Sequence, residues 1–171
     1  MSNSPQTEAA DSRATIARVL GRTPSGVFIL TAANAAGDET GMLASWVQQA
    51  SFEPPMVSVA VNNKRYLNDW FKEMPRAALN LLGESQARMI RHFARGFAPG
   101  VKAFEGLDVE RSSDGLPVLS EALGYLEGRV AARTPAGDHT LILLEIVGAG
   151  VGADLDTERP MVHISRNGFK Y

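Results

Sequence analysis

The chain contains no cysteine. Disulfides, thiolate metal sites and a thiol nucleophile are therefore excluded, and the composition suits a reducing cytoplasm. No apolar run approaches the roughly 18 residues that a membrane helix needs. The opening stretch MSNSPQTEAADS has neither an apolar core nor an Arg-rich amphipathic pattern, so it does not read as a signal or transit peptide. Charge of one sign is lacking too. Seventeen Lys and Arg face 19 Asp and Glu, a net charge of −2, and the two signs are interspersed, which leaves no basic face for nucleic acid. The three histidines, His92, His139 and His163, have no metal-ligand spacing, so no metal site is expected. There is no Gly-x-Ser-x-Gly elbow on which to found a serine hydrolase.

What is present is 171 residues with 44% hydrophobic content, enough for one core without staples. Residues 1–10 read as a disordered lead-in and residues 11–171 as a single domain. Asp11 or Ser12 can cap a helix over Arg13–Leu20. Strands are expected at Val27–Thr31, Thr40–Ala50, Met56–Val61, Arg76–Leu82, Asp108–Ser112, Leu123–Arg133, Thr140–Val147 and Val162–Ile164. Helical spacing appears at Tyr66–Phe71, and again from a Ser85 cap to Arg95. Thr134–Asp138 reads as a hairpin loop. Gly148–Gly152 reads as a flexible loop, because no helix follows to make it a dinucleotide fingerprint. Strands that come in pairs, with about three helices outside, predict a mostly β protein, an antiparallel barrel with helical additions.

One stretch resists this simple reading: GMLASWVQQASFEPPMVSVAV, Gly41 to Val61. Its ends look like buried strand, but Ser45, Gln48, Gln49 and Ser51 lie between them and Pro54-Pro55 interrupts the ladder. Alternation places Ser45, Val47, Gln49 and Ser51 on one face and Trp46, Gln48 and Ala50 on the other, and neither face is uniformly apolar. Water at an exposed edge could satisfy these groups, and so could a ligand rich in donors and acceptors. Asn63-Lys64-Arg65, ahead of a short helix, is either a solvated turn or a phosphate site. His139 opens a strand and His92 sits among apolar helix residues; in isolation each reads as a solvated or packed histidine.

The Gly41–Val61 stretch resembles the signature of the flavin reductase-like, FMN-binding split-barrel family. The matching residues are Gly41, Met42, Leu43, Ala44, Ser45 and Trp46, then Ser51 and Glu53-Pro54-Pro55. Phe93 with Phe97-Ala98-Pro99-Gly100, Phe104-Glu105-Gly106, Leu126-Glu127, Gly137-Asp138-His139 and the segment from His163 follow in the family's order. The version here is most similar to the flavin reductase module of diflavin flavoproteins. Leu43, Ser45 and Trp46 depart from the family's usual Thr, Asn and Ser.

The resemblance implies a split antiparallel β-barrel that dimerises with itself and holds FMN, or FAD in its place, near the subunit interface. It places Leu43, Ala44, Ser45 and Trp46 along the flavin ring and ribityl chain, with Gln49 and Ala50 beside them. Ser51 is expected at the phosphate end, with Lys64 and Arg65, and His139 at the flavin face where a nicotinamide stacks. The implied activity is NADH- or NADPH-dependent flavin reduction in the cytoplasm. Electrons would pass to oxygen, free flavin, or a partner oxygenase or flavodiiron protein. The alternatives are a non-enzymatic FMN electron-transfer module, a split-barrel oxidase of a small organic substrate, or a barrel that binds haem or nothing.

Overall fold

The computed structural model describes residues 5–169, with side chains from Asp11 to Phe169. In chain order the elements are α1 (Pro5–Gly21), β1 (Ser25–Gly26), β2 (Phe28–Ala33), β3 (Glu39–Ala44), β4 (Val47–Ser51), β5 (Met56–Asn62), α2 (Leu67–Glu73), β6 (Arg76–Leu81), a 3-10 turn (Glu84–Gln86), α3 (Ala87–Phe93), β7 (Val109–Arg111), β8 (Pro117–Leu119), β9 (Gly124–Ala136), β10 (His139–Val151) and β11 (Val162–His163). They form two compact units: the residues up to Ser25 together with those from Val162, and Gly26–Met161.

In the smaller unit, α1 begins earlier than the sequence suggests. Pro5 opens it, where a missing N–H costs nothing, and Asp11 and Ser12 lie inside the helix rather than capping it. Residues 1–4 of the expected lead-in lie outside the described residues. The C-terminal segment returns to the end of this helix: Ser165 N donates to Gly21 O at 2.8 Å and Gly168 N to Ala17 O at 2.7 Å. A Cβ on Gly21 would lie 2.8 Å from Ser165 O, so only glycine permits this approach.

The larger unit is built on seven strands in the order β3-β2-β6-β9-β10-β5-β4, and each neighbouring pair is antiparallel. β3 and β4 are the opposite edges of that order, yet only Ser45 and Trp46 separate them in the chain. Those two residues reach about 11 Å at full extension. The sheet must therefore curl until its edges meet. No ladder joins β3 to β4, so the result is a split barrel, to which α2 and α3 are added within the larger unit. The interior is filled by alternate residues of every strand, among them Leu30, Met42, Ala44, Val59, Val61, Leu79, Ile142 and Leu144. A second cluster, with Ile29, Leu82, Met89 and Phe93 at its centre, packs α3 on the outside of β2.

Several expectations change on the physical detail. The strand expected over Thr40–Ala50 is broken at Ser45-Trp46, because the chain must cross the seam there. Gly148–Gly152 is not a flexible loop: β10 runs on to Val151, paired with β9 as far as Gly124. Its glycines serve close approach, since a Cβ on Gly150 would lie 2.2 Å from the Tyr125 ring. The hairpin loop shrinks to the two residues Gly137-Asp138, with His139 opposite Ala136 and Gly137 at φ +65. Ser85 does not cap α3. Gln86 Oε1 accepts from Gly83 N at 3.0 Å instead, while Ser85 N donates to Glu158. β8, from Pro117, was not expected at all.

Candidate functional site

The seam places the predicted residues in two groups. β3 carries Leu43 and Ala44 on opposite faces. Ala44 is 4% exposed inside the barrel, so only its backbone can reach a ligand, and Leu43 is half-buried in the outer cluster under α3. At the crossing, Ser45 is buried, and its Oγ has no hydrogen-bond partner. Trp46, 43% exposed, lies across the His139 ring with centroids 4.8 Å apart and planes tilted by 44°. Its carbonyl accepts from Ala60 N at 3.1 Å, which ties the crossing to β5. Beyond it, Gln49 and Ala50 are exposed on β4, an edge strand, with Ala50 at the irregularity between Gln49 and Ser51.

His139 opens β10, opposite Asn62 of β5. It is itself buried, and its Nδ1 lies 2.7 Å from Asp138 Oδ1. A proton on Nδ1 donates to that carboxylate and leaves Nε2 as the nitrogen available to a ligand. The hydrogen bond and charge of His139 hold the Asp138 carboxyl below its ordinary value, with Lys64 adding to the effect.

The turn that carries Lys64 and Arg65 is fastened to this histidine hairpin. Asn63 Nδ2 donates to Gly137 O at 3.2 Å, Asn63 Oδ1 accepts from Thr140 Oγ1 at 2.8 Å, and Asn63 N donates to Asp138 O at 3.0 Å. From the other side, Asn68 Nδ2 donates to the carbonyls of Asn62 and Arg65 at 2.9 and 3.1 Å. Arg133 Nη2 then donates to Asn68 O at 2.8 Å. Arg65 itself reaches the end of α3, where its Nη1 donates to Arg95 O at 2.9 Å. Lys64 is exposed.

The structure thus gathers Ser45, Trp46, His139, Lys64 and Arg65 at one end of β5. It does not bring Ser51 to them. Ser51 pairs with Met56 at the start of β5, and the six steps along the seven residues from Met56 to Asn62 rise about 20 Å. A single phosphate cannot touch Ser51 and Arg65 of the same chain. His92 is away from this group: its Nε2 lies 2.8 Å from Ala103 O and its ring packs on Phe93 and Phe97. Asn63 and Asn68 carry no motif that would mark them beforehand. The only signal is an asparagine-rich turn beside a Lys-Arg pair.

One observation fits a bound polar group: the Ser45 hydroxyl at the crossing is buried and has no hydrogen-bond partner. A barrel split at this point, with an unpartnered hydroxyl at the crossing and a basic turn at the same end of β5, has the fold of flavin oxidoreductase modules. The chain belongs to the family of flavin reductase like domains, which its residues 20–170 match. It is 38% identical over 136 residues to diflavin flavoprotein A 1 of Synechocystis sp., covering 78% of this chain and 23% of that protein. The chain spans about a fifth of the length of the curated relatives it matches. Among solved structures, it is similar to the NADH:FAD oxidoreductase SgcE6 of Streptomyces globisporus, with TM-score 0.79, 26% identity, and coverage of 98% of this chain and 94% of that one. It is also similar to nitrilotriacetate monooxygenase component B from Mycobacterium thermoresistibile, with TM-score 0.78, 25% identity, and coverage of 93% and 85%. No helix among the described residues is long and apolar enough to cross a membrane.

Proposed function

We propose that this chain is an NAD(P)H-dependent flavin reductase that holds FMN, or FAD in its place, at the seam. The observation that carries the reading is the buried, unpartnered Ser45 Oγ at the crossing of the two barrel edges. Such a group costs about 1–3 kcal/mol when it stays unpaired, and a bound polar ring relieves that cost.

When bound, the flavin supplies the ring that accepts hydride and passes on electrons. The chain's own residues bind and orient. The Ser45 hydroxyl and backbone N–H groups of the 45–49 segment donate to the ring edge where negative charge grows. The Leu43 side chain and the Ala44 backbone line the ring and ribityl chain. Trp46 and His139 form one wall. His139, held by Asp138, positions the nicotinamide and keeps water out, with no obligate proton transfer assigned to it. Lys64 and Arg65 neutralise a phosphate by charge-assisted hydrogen bonds. Gln49, Ala50 and Ser51 lie along the free edge of β4, which a second copy would cover in a homodimer, because an exposed edge invites pairing. Electrons pass to oxygen, free flavin, or a partner oxygenase or flavodiiron protein; the diflavin flavoprotein relatives support the last of these.

The test is titration with FMN, followed by rapid mixing of the holo-protein with NADH and NADPH. The flavin absorption band should bleach with at least one of them. Arg65→Ala should weaken FMN binding by about 1.5–3 kcal/mol, roughly 10- to 150-fold. A bound flavin that neither nucleotide bleaches would leave the electron-transfer module instead. A protein that stays colourless in excess FMN would end both readings.

A further inference from the structure

None of the seam residues lines the cavity of about 520 Å³ in the smaller unit. Thr15, Arg18, Val19 and Arg22 line it at the three- and four-residue spacing that puts them on one face of α1 and the turn after it. Arg166 of the C-terminal segment completes the lining. Its backbone is held from both sides. Ser165 N and Gly168 N are the donors that dock this segment on α1, and Ser165 Oγ donates to Asn167 O at 2.8 Å.

Three guanidiniums therefore share one cavity, and none of them makes an ion pair or a side-chain hydrogen bond among the described residues. Arg13, by contrast, is occupied over the Phe169 ring at 4.5 Å. Across residues 11–25 and 162–169, Arg13, Arg18, Arg22 and Arg166 face only Asp11, in a chain whose net charge is −2. Asp11 stands one turn before Thr15 and does not line the cavity.

A basic residue at the end of a helix can serve the exposed carbonyls there. Here those carbonyls are taken. Ala17 O and Gly21 O accept from Gly168 N and Ser165 N, and Val19 O and Leu20 O from Arg22 N and Thr23 N. Thr15 Oγ1 is spent on Asp11 O at 2.9 Å. The free donors of the lining are thus the guanidiniums. Arg18 and Arg22 repel one another at their four-residue spacing, and the flat N–H fork of each arginine matches phosphate oxygens.

We infer that this cavity binds a phosphate group held by Arg18, Arg22 and Arg166. The inference stands independently of the flavin reading. Its phosphate belongs to a soluble anion or to a lipid headgroup, since Val19 is 66% exposed beside the arginines and Ile16 and Leu20 are each 50% exposed on the same helix.

The experiment uses the full chain with two probes: inorganic pyrophosphate, followed by calorimetry, and phosphatidylglycerol vesicles, followed by sedimentation. Pyrophosphate should bind the wild type, and at least about tenfold more weakly in Arg18→Gln/Arg166→Gln, which loses two charge-assisted partners. Arg91→Gln/Arg159→Gln removes the same charge elsewhere and should bind as the wild type does. If the phosphate belongs to a headgroup, the wild type sediments with the vesicles and Arg18→Gln/Arg166→Gln does not; any other vesicle result leaves the soluble anion as its source. Pyrophosphate that does not bind, or that weakens equally in the two double variants, overturns the inference. A fall of FMN affinity in Arg18→Gln/Arg166→Gln also overturns it, because these arginines would then be part of the flavin site. Without ligand, that variant should match or exceed the wild type in urea midpoint, since it relieves like-charge repulsion. A lower midpoint would mean that the arginines hold the two segments together, and would overturn the inference as well.

Discussion

At the residue scale the informative atom is Ser45 Oγ. A buried hydroxyl with no partner is rare in a folded protein, because it gives up its bonds to water and gains none. If it is kept for a ligand, removing it should act in opposite directions on two measurements. Ser45→Ala should leave the flavin-free protein as stable as the wild type or stabilise it by up to about 1–3 kcal/mol, read from urea midpoints. The same change should weaken flavin binding by about 1 kcal/mol, roughly fivefold. Loss of stability without loss of affinity would mean that the hydroxyl serves the fold. The rest of the site argues the same way. Asp138, fully exposed, has little to do for stability, but it fixes which nitrogen of His139 faces a ligand.

At the element scale, most of what positions the site is legible in the chain. Alternation in β5 and the Gly137-Asp138 turn fix the register that sets His139 opposite Asn62. The sheet could be read because its strands are bounded by turn residues and obey a two-residue period. The break at Ser45-Trp46 could not, because the local sequence Ala-Ser-Trp-Val continues the strand pattern. Only closure of the barrel makes the chain turn there. The bracing of the Lys64-Arg65 turn by Asn63 and Asn68 was hidden for a similar reason: its partners at Gly137, Thr140 and Arg133 are distant in sequence. Gly41 shows the converse, a residue noticed for its motif whose role is packing. A Cβ there would lie 2.7 Å from Cε1 of Phe93, which is fully buried and cannot retreat. Gly41→Ala should therefore cost about 1–3 kcal/mol of stability through overpacking of α3 on β3. Phe93→Leu in the same chain should restore part of it, as a double-mutant cycle will show. Additive losses would mean that the two residues do not collide.

At the scale of the whole molecule, the larger unit contains one carboxylate that connects distant parts. Glu127 of β9 is 1% exposed and accepts from Ser112 Oγ and Ser113 Oγ, both at 2.6 Å, and from Asp114 N at 2.9 Å. These three donors hold the turn between β7 and β8 against the barrel. Burial alone would raise the Glu127 carboxyl, but the two hydroxyls, the N–H and the nearby Arg76 outweigh it and bring it below its ordinary value of 4.5. A carboxyl lowered on folding adds stability above its unfolded value, and that stability disappears as pH falls through the folded value. Glu127→Gln keeps the shape of the side chain but loses the charge and part of the acceptor capacity. It should be less stable than the wild type at pH 7, where a buried carboxylate with three donors is replaced by a group that cannot satisfy them all. The difference in urea midpoint should shrink as pH is lowered below about 4.5, because the wild type then protonates the same carboxyl. A gap that stays constant down to acid pH would show that the charge of Glu127 contributes nothing, and that the hydrogen-bonded shape alone holds the turn.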